Sequence, residues 1–310
     1  MASLFEQVAG AAAGVVDLTP RGRIRATGRD RVRFLDGMLT NSVEALADGQ
    51  SCRALLLDRK GRILSDLELI CLDAAHWIET AEGTGAGVGA ALERHIIADD
   101  VEIEDLSQSW SELAVEGPGA RDAALAAGGE APAPGEARGQ GERIWIGGGA
   151  VGAEGVRLLA PRNDVESFRS ALELGSLSRE QLEILRVEAY RPAYGVDATE
   201  RSFPAEGPYR GAVSFTKGCY IGQEIVARVD SRGGVNRLLV KLGSAEPLSP
   251  GSAITAEGAP VGVVTSAVFS PRSGPLALGY VKREVAESGA KLEVDGSSAV
   301  VLEIPEPLNP

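Results

Sequence analysis

Apolar positions recur along this chain at two periods, every second residue and every third or fourth, and these mark strands and helices respectively. Gly22 to Thr27 predicts a strand, and Asp30 then caps a helix whose inward side is Val32, Phe34, Leu35 and Met38. Residues 52–70, CRALLLDRKGRILSDLELI, read as a hairpin turning at Asp58 to Gly61, with Asp66 on the same side of its second strand as Leu64 and Ile70. A helix follows over Gly87 to Ile97, with His95 in its last turn, then a strand with Val101 and Ile103 inward. Strands are expected at 113–115, 143–146 and 156–160, a short helix at 121–127, and a loop at APAPGEARGQG from Ala131. Asn163 or Asp164 starts a helix that Gly175 stops, and Ser178 caps another running to Tyr190. Leu182 and Leu185 form the buried stripe of that helix, and Glu188 continues it.

After Asn236 the texture changes to short alternating strands at 236–242, 261–266, 276–281, 291–294 and 300–304, separated by Gly, Pro and Ser turns. The class is therefore α+β, a mixed α/β front over 1–235 followed by a β-barrel or sandwich over 236–306. The expected link is DSRGG at 230–234, and the tail EPLNP is expected to fray.

A formal charge of −13 opposes long-range attraction to nucleic acid or anionic membrane. Three scattered cysteines, Cys52, Cys71 and Cys219, argue against a disulfide framework and for a reducing compartment, so a cytoplasmic location is expected. Only two histidines, His76 and His95, and no CxxC or HExxH motif leave no expected metal site. No apolar run is long enough to span a bilayer, and the first residues lack a secretory pattern.

Candidate chemistry centres on TKGCYIGQEIVAR, residues 216–228. Thr216 is placed to cap a short helix with Cys219 in its first turn, near Lys217 and the positive end of the helix, which favours a thiolate. Gln223 then shares the cysteine's face, and Glu224 and Arg228 lie four apart on another. The alternative is a small buried hydrophobe in a capped helix. Two further features stay open in the same way. Arg21, Arg23, Arg25, Arg29, Arg31 and Arg33 form either a solvated face or an anion-facing rim. Asp66, among apolar residues, is either partnered or at an open edge.

KGCYIGQE at 217–224 resembles the signature of the YgfZ family, folate-binding proteins of iron–sulfur cluster assembly and tRNA modification with mitochondrial relatives. Residues 28–50, GRDRVRFLDGMLTNSVEALADGQ, are similar to that family's early segment. LLLDRKGRILSDLELI, RVEAYRPAYGVD and VGVVTSAVFSPRSGPLALGYV resemble both YgfZ proteins and the glycine-cleavage aminomethyltransferase, the T-protein. The resemblance implies a T-protein-like fold: two interlocked mixed α/β domains and a C-terminal antiparallel β-barrel, ring-like around a central cavity. It implies tetrahydrofolate or another reduced folate as cofactor, with Glu188 at the pterin and Asp66 by the nitrogen where a one-carbon unit is transferred. Many YgfZ members carry Asn at that position, so Asp66 departs toward the transferase pattern.

The resulting expectation is a tetrahydrofolate-dependent accessory factor for iron–sulfur cluster assembly or repair, affecting tRNA-modifying cluster enzymes. Cys219, Lys217 and Asp66 carry its chemistry, and Glu188, Asp66, Arg228, Tyr220 and Gln223 bind the cofactor. Its transient partners are iron–sulfur enzymes or assembly proteins. The alternatives are a folate-dependent aminomethyltransferase using Asp66 and Glu188, and a non-enzymatic folate-binding scaffold.

Overall fold

A computed structural model describes residues 3–152, 154–231 and 234–309. The chain divides into two compact units: Met1–Leu57, Leu64–Ser178 and Thr216–Ile221 make the first, and Asp58–Ile63, Arg179–Phe215 and Gly222–Pro310 the second. The expected link at 230–234 lies in part outside the described residues, at 232 and 233.

The first unit opens with α1 (Leu4–Ala9), whose Ser3 and Glu6 form a capping box. There follow β1 (Gly14–Asp17), β2 (Arg21–Thr27), α2 (Arg31–Met38), β3 (Gln50–Leu57), β4 (Ile63–Leu72), β5 (Ala75–Glu82), α3 (Gly85–Glu93) and β6 (Glu102–Asp105). The unit continues with β7 (Trp110–Glu116), α4 (Ala120–Ala126), β8 (Ala137–Gln140), β9 (Arg143–Gly147), β10 (Gly155–Pro161) and α5 (Arg162–Ala171). The strands form two five-stranded sheets, ordered β1-β7-β10-β9-β8 and β3-β4-β5-β2-β6.

Strand alternation explains how the two sheets stack. On β4, Leu67 and Leu69 pack with Phe34, Leu35 and Met38 of α2 and with Val88 and Leu92 of α3. Ile70 and Leu72 join Trp77 of β5 against Ile144, Ile146 and Leu159 of the other sheet. The far side of that second sheet buries Leu113, Val115, Val156 and Leu158 under Ala120, Ala124, Val165 and Phe168 of its two helices. Each sheet thus has one face on helices and one on its fellow, so apolar residues of central strands such as β4 point to both sides.

The second unit contains α6 (Arg179–Glu188), single 3-10 turns at Pro204–Glu206 and Arg210–Ala212, and α7 (Gln223–Ser231). Six strands then close an antiparallel barrel in the order β11-β14-β13-β12-β15-β16. They are β11 (Arg237–Ser244), β12 (Ala253–Ala256), β13 (Ala259–Ser270), β14 (Gly274–Lys282), β15 (Lys291–Val294) and β16 (Ser297–Glu303). Val240, Leu242, Ile254, Val264, Ala277, Leu292 and Val301 fill its core.

Four local expectations are corrected. The helix expected to reach Ile97 stops at Glu93, leaving His95 beyond it with Nδ1 2.7 Å from the Ala91 carbonyl. The helix expected to reach Tyr190 stops at Glu188, and Tyr190 takes a left-handed φ of 52°. The loop expected from Ala131 contains β8, an edge strand paired with β9. Asp30 occupies the N-cap position of α2 without making a side-chain cap; its carboxylate accepts the Asp100 N–H instead, at 2.8 Å.

Candidate functional site

Cys219 is exposed, so the reading as buried filler is excluded. It is also not helical, which corrects the expectation of a Thr216-capped turn. Residues 216–222 are turn and irregular backbone, and α7 begins only at Gln223. Gly222, at a φ of +83°, is the break, a conformation that glycine adopts without penalty. A helix N-terminus therefore does not surround the thiol, and Gln223 does not share a helical face with it. Glu224 and Arg228 do lie one turn apart on α7, both exposed.

Lys217 is the opposite of its neighbour: its side chain is 1% exposed. Its ammonium donates to the carbonyl oxygens of Asp36, of Leu39 at 2.9 Å and of Asn41 at 3.0 Å. The Asp36 carboxylate lies 3.3 Å from the same nitrogen and also accepts the N–H groups of Val43 at 2.8 Å and Glu44 at 3.3 Å. An ammonium has three N–H groups, and the three carbonyls and the Asp36 carboxylate share them. Burial lowers the Lys217 pKa, while the Asp36 charge and hydrogen bond act against that fall. The Tyr220 ring lies 5.4 Å from the ammonium, is buried, and has its phenol pushed up to about 12 by burial. On the far side of Cys219, the Ile221 N–H donates to the Gly37 carbonyl at 3.2 Å. The cysteine is thus presented on a short segment moored on both sides to the end of α2.

Asp66 has a partner. Arg53 on β3 donates to its carboxylate at 2.7 Å, with the two side chains 35% and 22% exposed. Two residues along the same face of β4, Glu68 accepts from Ser51 at 2.9 Å and from Arg157 at 2.6 Å. Arg157, 2% exposed, also reaches Glu79 at 2.5 Å and Glu112 at 3.2 Å, so one guanidinium joins carboxylates of both sheets. Burial, reinforced by Glu112, pushes the Glu79 carboxyl up to about 8 against the pull of Arg157. Sequence reading missed this cluster. Its signal was present as single charged residues interrupting apolar strands, Glu79 in HWIET and Arg157 in GVRLLA.

In the second unit Glu188 closes α6 with its side chain 4% exposed. Its carboxylate accepts from the Ser270 hydroxyl and from Arg272 at 3.1 Å. Burial alone would raise its pKa, but Ser270, Ser273 and Arg272 together hold it below the usual carboxylate range. Lys241 donates to its main-chain carbonyl at 2.9 Å. A carboxylate offers about four acceptor positions, so Glu188 keeps capacity for a further donor.

The arginine series is not one face. Arg23 is fully buried and donates to the Leu18, Thr19 and Arg21 carbonyls. Arg25, Arg29 and Arg33 pair with Glu104, Asp100 and Asp99 respectively. Cys52 and Cys71 sit half-buried on β3 and β4, and burial raises the Cys52 thiol to about 11. Among the described residues, no cluster of His, Cys, Asp and Glu could hold a metal ion, and no helix is long and apolar enough to cross a membrane.

Two family models match the chain, the GCVT N-terminal domain over residues 6–131 and the glycine cleavage T-protein C-terminal barrel domain over 237–302. A chloroplastic protein of Arabidopsis thaliana with a provisional transferase name is 30% identical over 305 residues, covering 94% of this chain and 70% of its own. An aminomethyltransferase of Saccharopolyspora erythraea is 29% identical, covering 94% of this chain and 85% of its own. The crystal structure of the glycine cleavage system aminomethyltransferase T from Bartonella henselae superposes with a TM-score of 0.90 at 23% identity, covering 97% of this chain and 88% of that one. The fold is therefore the T-protein fold, mixed α/β with a C-terminal six-stranded antiparallel barrel, as the resemblance implied. The chain belongs to the glycine-cleavage T-protein family.

Proposed function

We propose that this chain is a tetrahydrofolate-binding accessory factor for iron–sulfur cluster assembly or repair, of the YgfZ branch of the T-protein family, acting through Cys219. One observation carries the reading: the thiol of KGCYIGQE is exposed on a segment moored on both sides of it. An accessible thiol so held can ligate iron or carry a sulfur atom transiently, and one cysteine alone does not hold a stable cluster. Its clients are cluster-dependent enzymes, those that methylthiolate tRNA among them. Glu188 fits a pterin in the sense that its carboxylate is held in the charged form and, with three donors in place, has about one acceptor position left for an N–H group. Bound folate would supply a one-carbon carrier. No cluster or metal is resident in this proposal.

The second reading is a folate-dependent aminomethyltransferase, favoured by the names of several relatives at 26–29% identity and by Asp66. On that reading Arg53, which donates to one Asp66 oxygen, orients the carboxylate and leaves its other oxygen for a substrate.

Calorimetric titration with tetrahydrofolate, paired with complementation of cells lacking the protein by Cys219→Ser and Asp66→Asn variants, decides between them. The proposal expects folate binding in all three proteins, with loss of cluster-enzyme activity only in the cysteine variant. Retained activity in Cys219→Ser, with one-carbon transfer lost in Asp66→Asn, assigns the transferase instead.

A further inference from the structure

Lys217 stands two residues before the thiol, where the sequence suggests an activating charge. The geometry points elsewhere: we infer that Lys217 is a positioning residue, a buried strut that fixes the Cys219 segment to the C-terminal end of α2 and sets where the thiol is presented. The inference rests on the proposed role of Cys219 and deepens it.

The argument begins with helix ends. The last carbonyls of a helix have no intrahelical donor and carry the negative end of the dipole. α2 ends at Met38, and the carbonyls of Asp36, Leu39 and Asn41 are among the groups there. One ammonium takes all three, and the Asp36 carboxylate beside it supplies the counter-charge that a cation 1% exposed requires. That carboxylate also holds Val43 and Glu44, so the turn leaving α2 is fixed by the same hub.

Main-chain oxygens and the Asp36 carboxylate hold the ammonium at the end of α2, which directs its charge to that turn. The ammonium also lies 5.4 Å from the Tyr220 ring and within Coulombic reach of Cys52 and Glu44. Two of the segments that carry the resemblance, the early one at 28–50 and the start of the octapeptide at 217–221, therefore meet in one polar knot. Cys219 sits between its two attachment points, Lys217 and Ile221.

The test uses the full chain with Lys217→Met, Lys217→Arg and Asp36→Asn. Alkylation of Cys219 by iodoacetamide is followed from pH 6 to 10 by peptide mass spectrometry, which counts Cys52 and Cys71 separately. Amide hydrogen exchange is followed over 36–44 and 216–222. Removing the strut is expected to speed exchange in both segments by about tenfold, while the pH midpoint of Cys219 alkylation stays at the wild-type value. Asp36→Asn, which keeps the carbonyls and loses the counter-charge, is expected to give a smaller change of the same kind, and Lys217→Arg to recover part of the protection. In complementation, Lys217→Met is expected to lose Cys219-dependent activity while the purified variant keeps an unfolding midpoint close to the wild-type value, a combination that a merely structural lysine would not produce.

A midpoint moved upward in Lys217→Met would make the lysine an activator, and unchanged exchange over 216–222 would remove the strut; either overturns the inference. Should Lys217→Met not fold, Asp36→Asn and Lys217→Arg carry the same readouts. Full activity in Cys219→Ser would instead sink the proposed function, and the exchange result would stand apart from it.

Discussion

Arg53 on β3 and Asp66 on β4 meet across their hairpin at 2.7 Å, each side chain about one-third exposed or less. This pair sits where the transferase reading places its reactive carboxylate. Asp66→Asn removes one charge and leaves Arg53 partly exposed, so stability is expected to fall by only about 1 kcal/mol, measured by urea unfolding. Arg53→Met leaves the carboxylate without the cation that orients it. If Asp66 serves one-carbon transfer, Arg53→Met changes that rate; under the proposed function it leaves cluster-enzyme activity near wild type.

The Arg157 cluster sets a second expectation. Arg157→Met strands Glu79 and Glu112, 2% and 0% exposed, and is expected to cost roughly 3–5 kcal/mol in urea unfolding. Glu79→Gln instead keeps the shape of the protonated acid. Because burial raises the folded pKa of Glu79 from its ordinary 4.5 to about 8, its contribution is complete below 4.5 and is lost as pH rises to about 8. The urea midpoint of the wild type should fall between pH 4.5 and 8, and that of Glu79→Gln should fall less. Equal slopes for the two would remove Glu79 as the titrating group.

His76 behaves in the opposite sense. It is 1% exposed, and neither ring nitrogen has a hydrogen-bond partner among the described residues. Burial first, and Arg31 second, lower its pKa from 6.5 to about 4. The folded state therefore favours the neutral ring. Stability holds above pH 6.5 and falls toward pH 4, by about 3 kcal/mol if the full shift is expressed. His76→Phe should flatten that acid limb, as read by unfolding midpoints at pH 7, 5.5 and 4.5.

Glu188→Ala is expected to lower tetrahydrofolate affinity by more than about tenfold in calorimetry, since a charged acceptor for a pterin N–H group is lost. Ser270→Ala, which removes one support of that carboxylate, is expected to weaken binding less. Unaltered affinity in both would detach Glu188 from the folate.

The elements were legible wherever one face decides a residue's fate. The hairpin of β3 and β4, the side of β4 that Asp66 takes and five of the six barrel strands follow from period-2 alternation alone; the four-residue β12 was missed. What escaped is long-range pairing. Arg25, Arg29 and Arg33 find their carboxylates at 99–104, and Arg157 finds Glu79 from 78 residues away. No local pattern encodes such partners. The helix placed around Cys219 failed for a related reason. Thr216 and the following residues suit a capped turn, but Lys217 is pulled to carbonyls 176–181 residues earlier and Gly222 breaks the path.

The first unit is assembled from three stretches of chain, and the last, Thr216–Ile221, emerges from the ribosome only after the 37 residues of Arg179–Phe215 have gone to the other unit. Until that hexapeptide arrives, the end of α2 waits without its cation. A nascent chain stopped at Ser178 would hold the strands of both sheets yet lack its clasp, so an anchored Cys219 marks a polypeptide whose earlier layers are already in place.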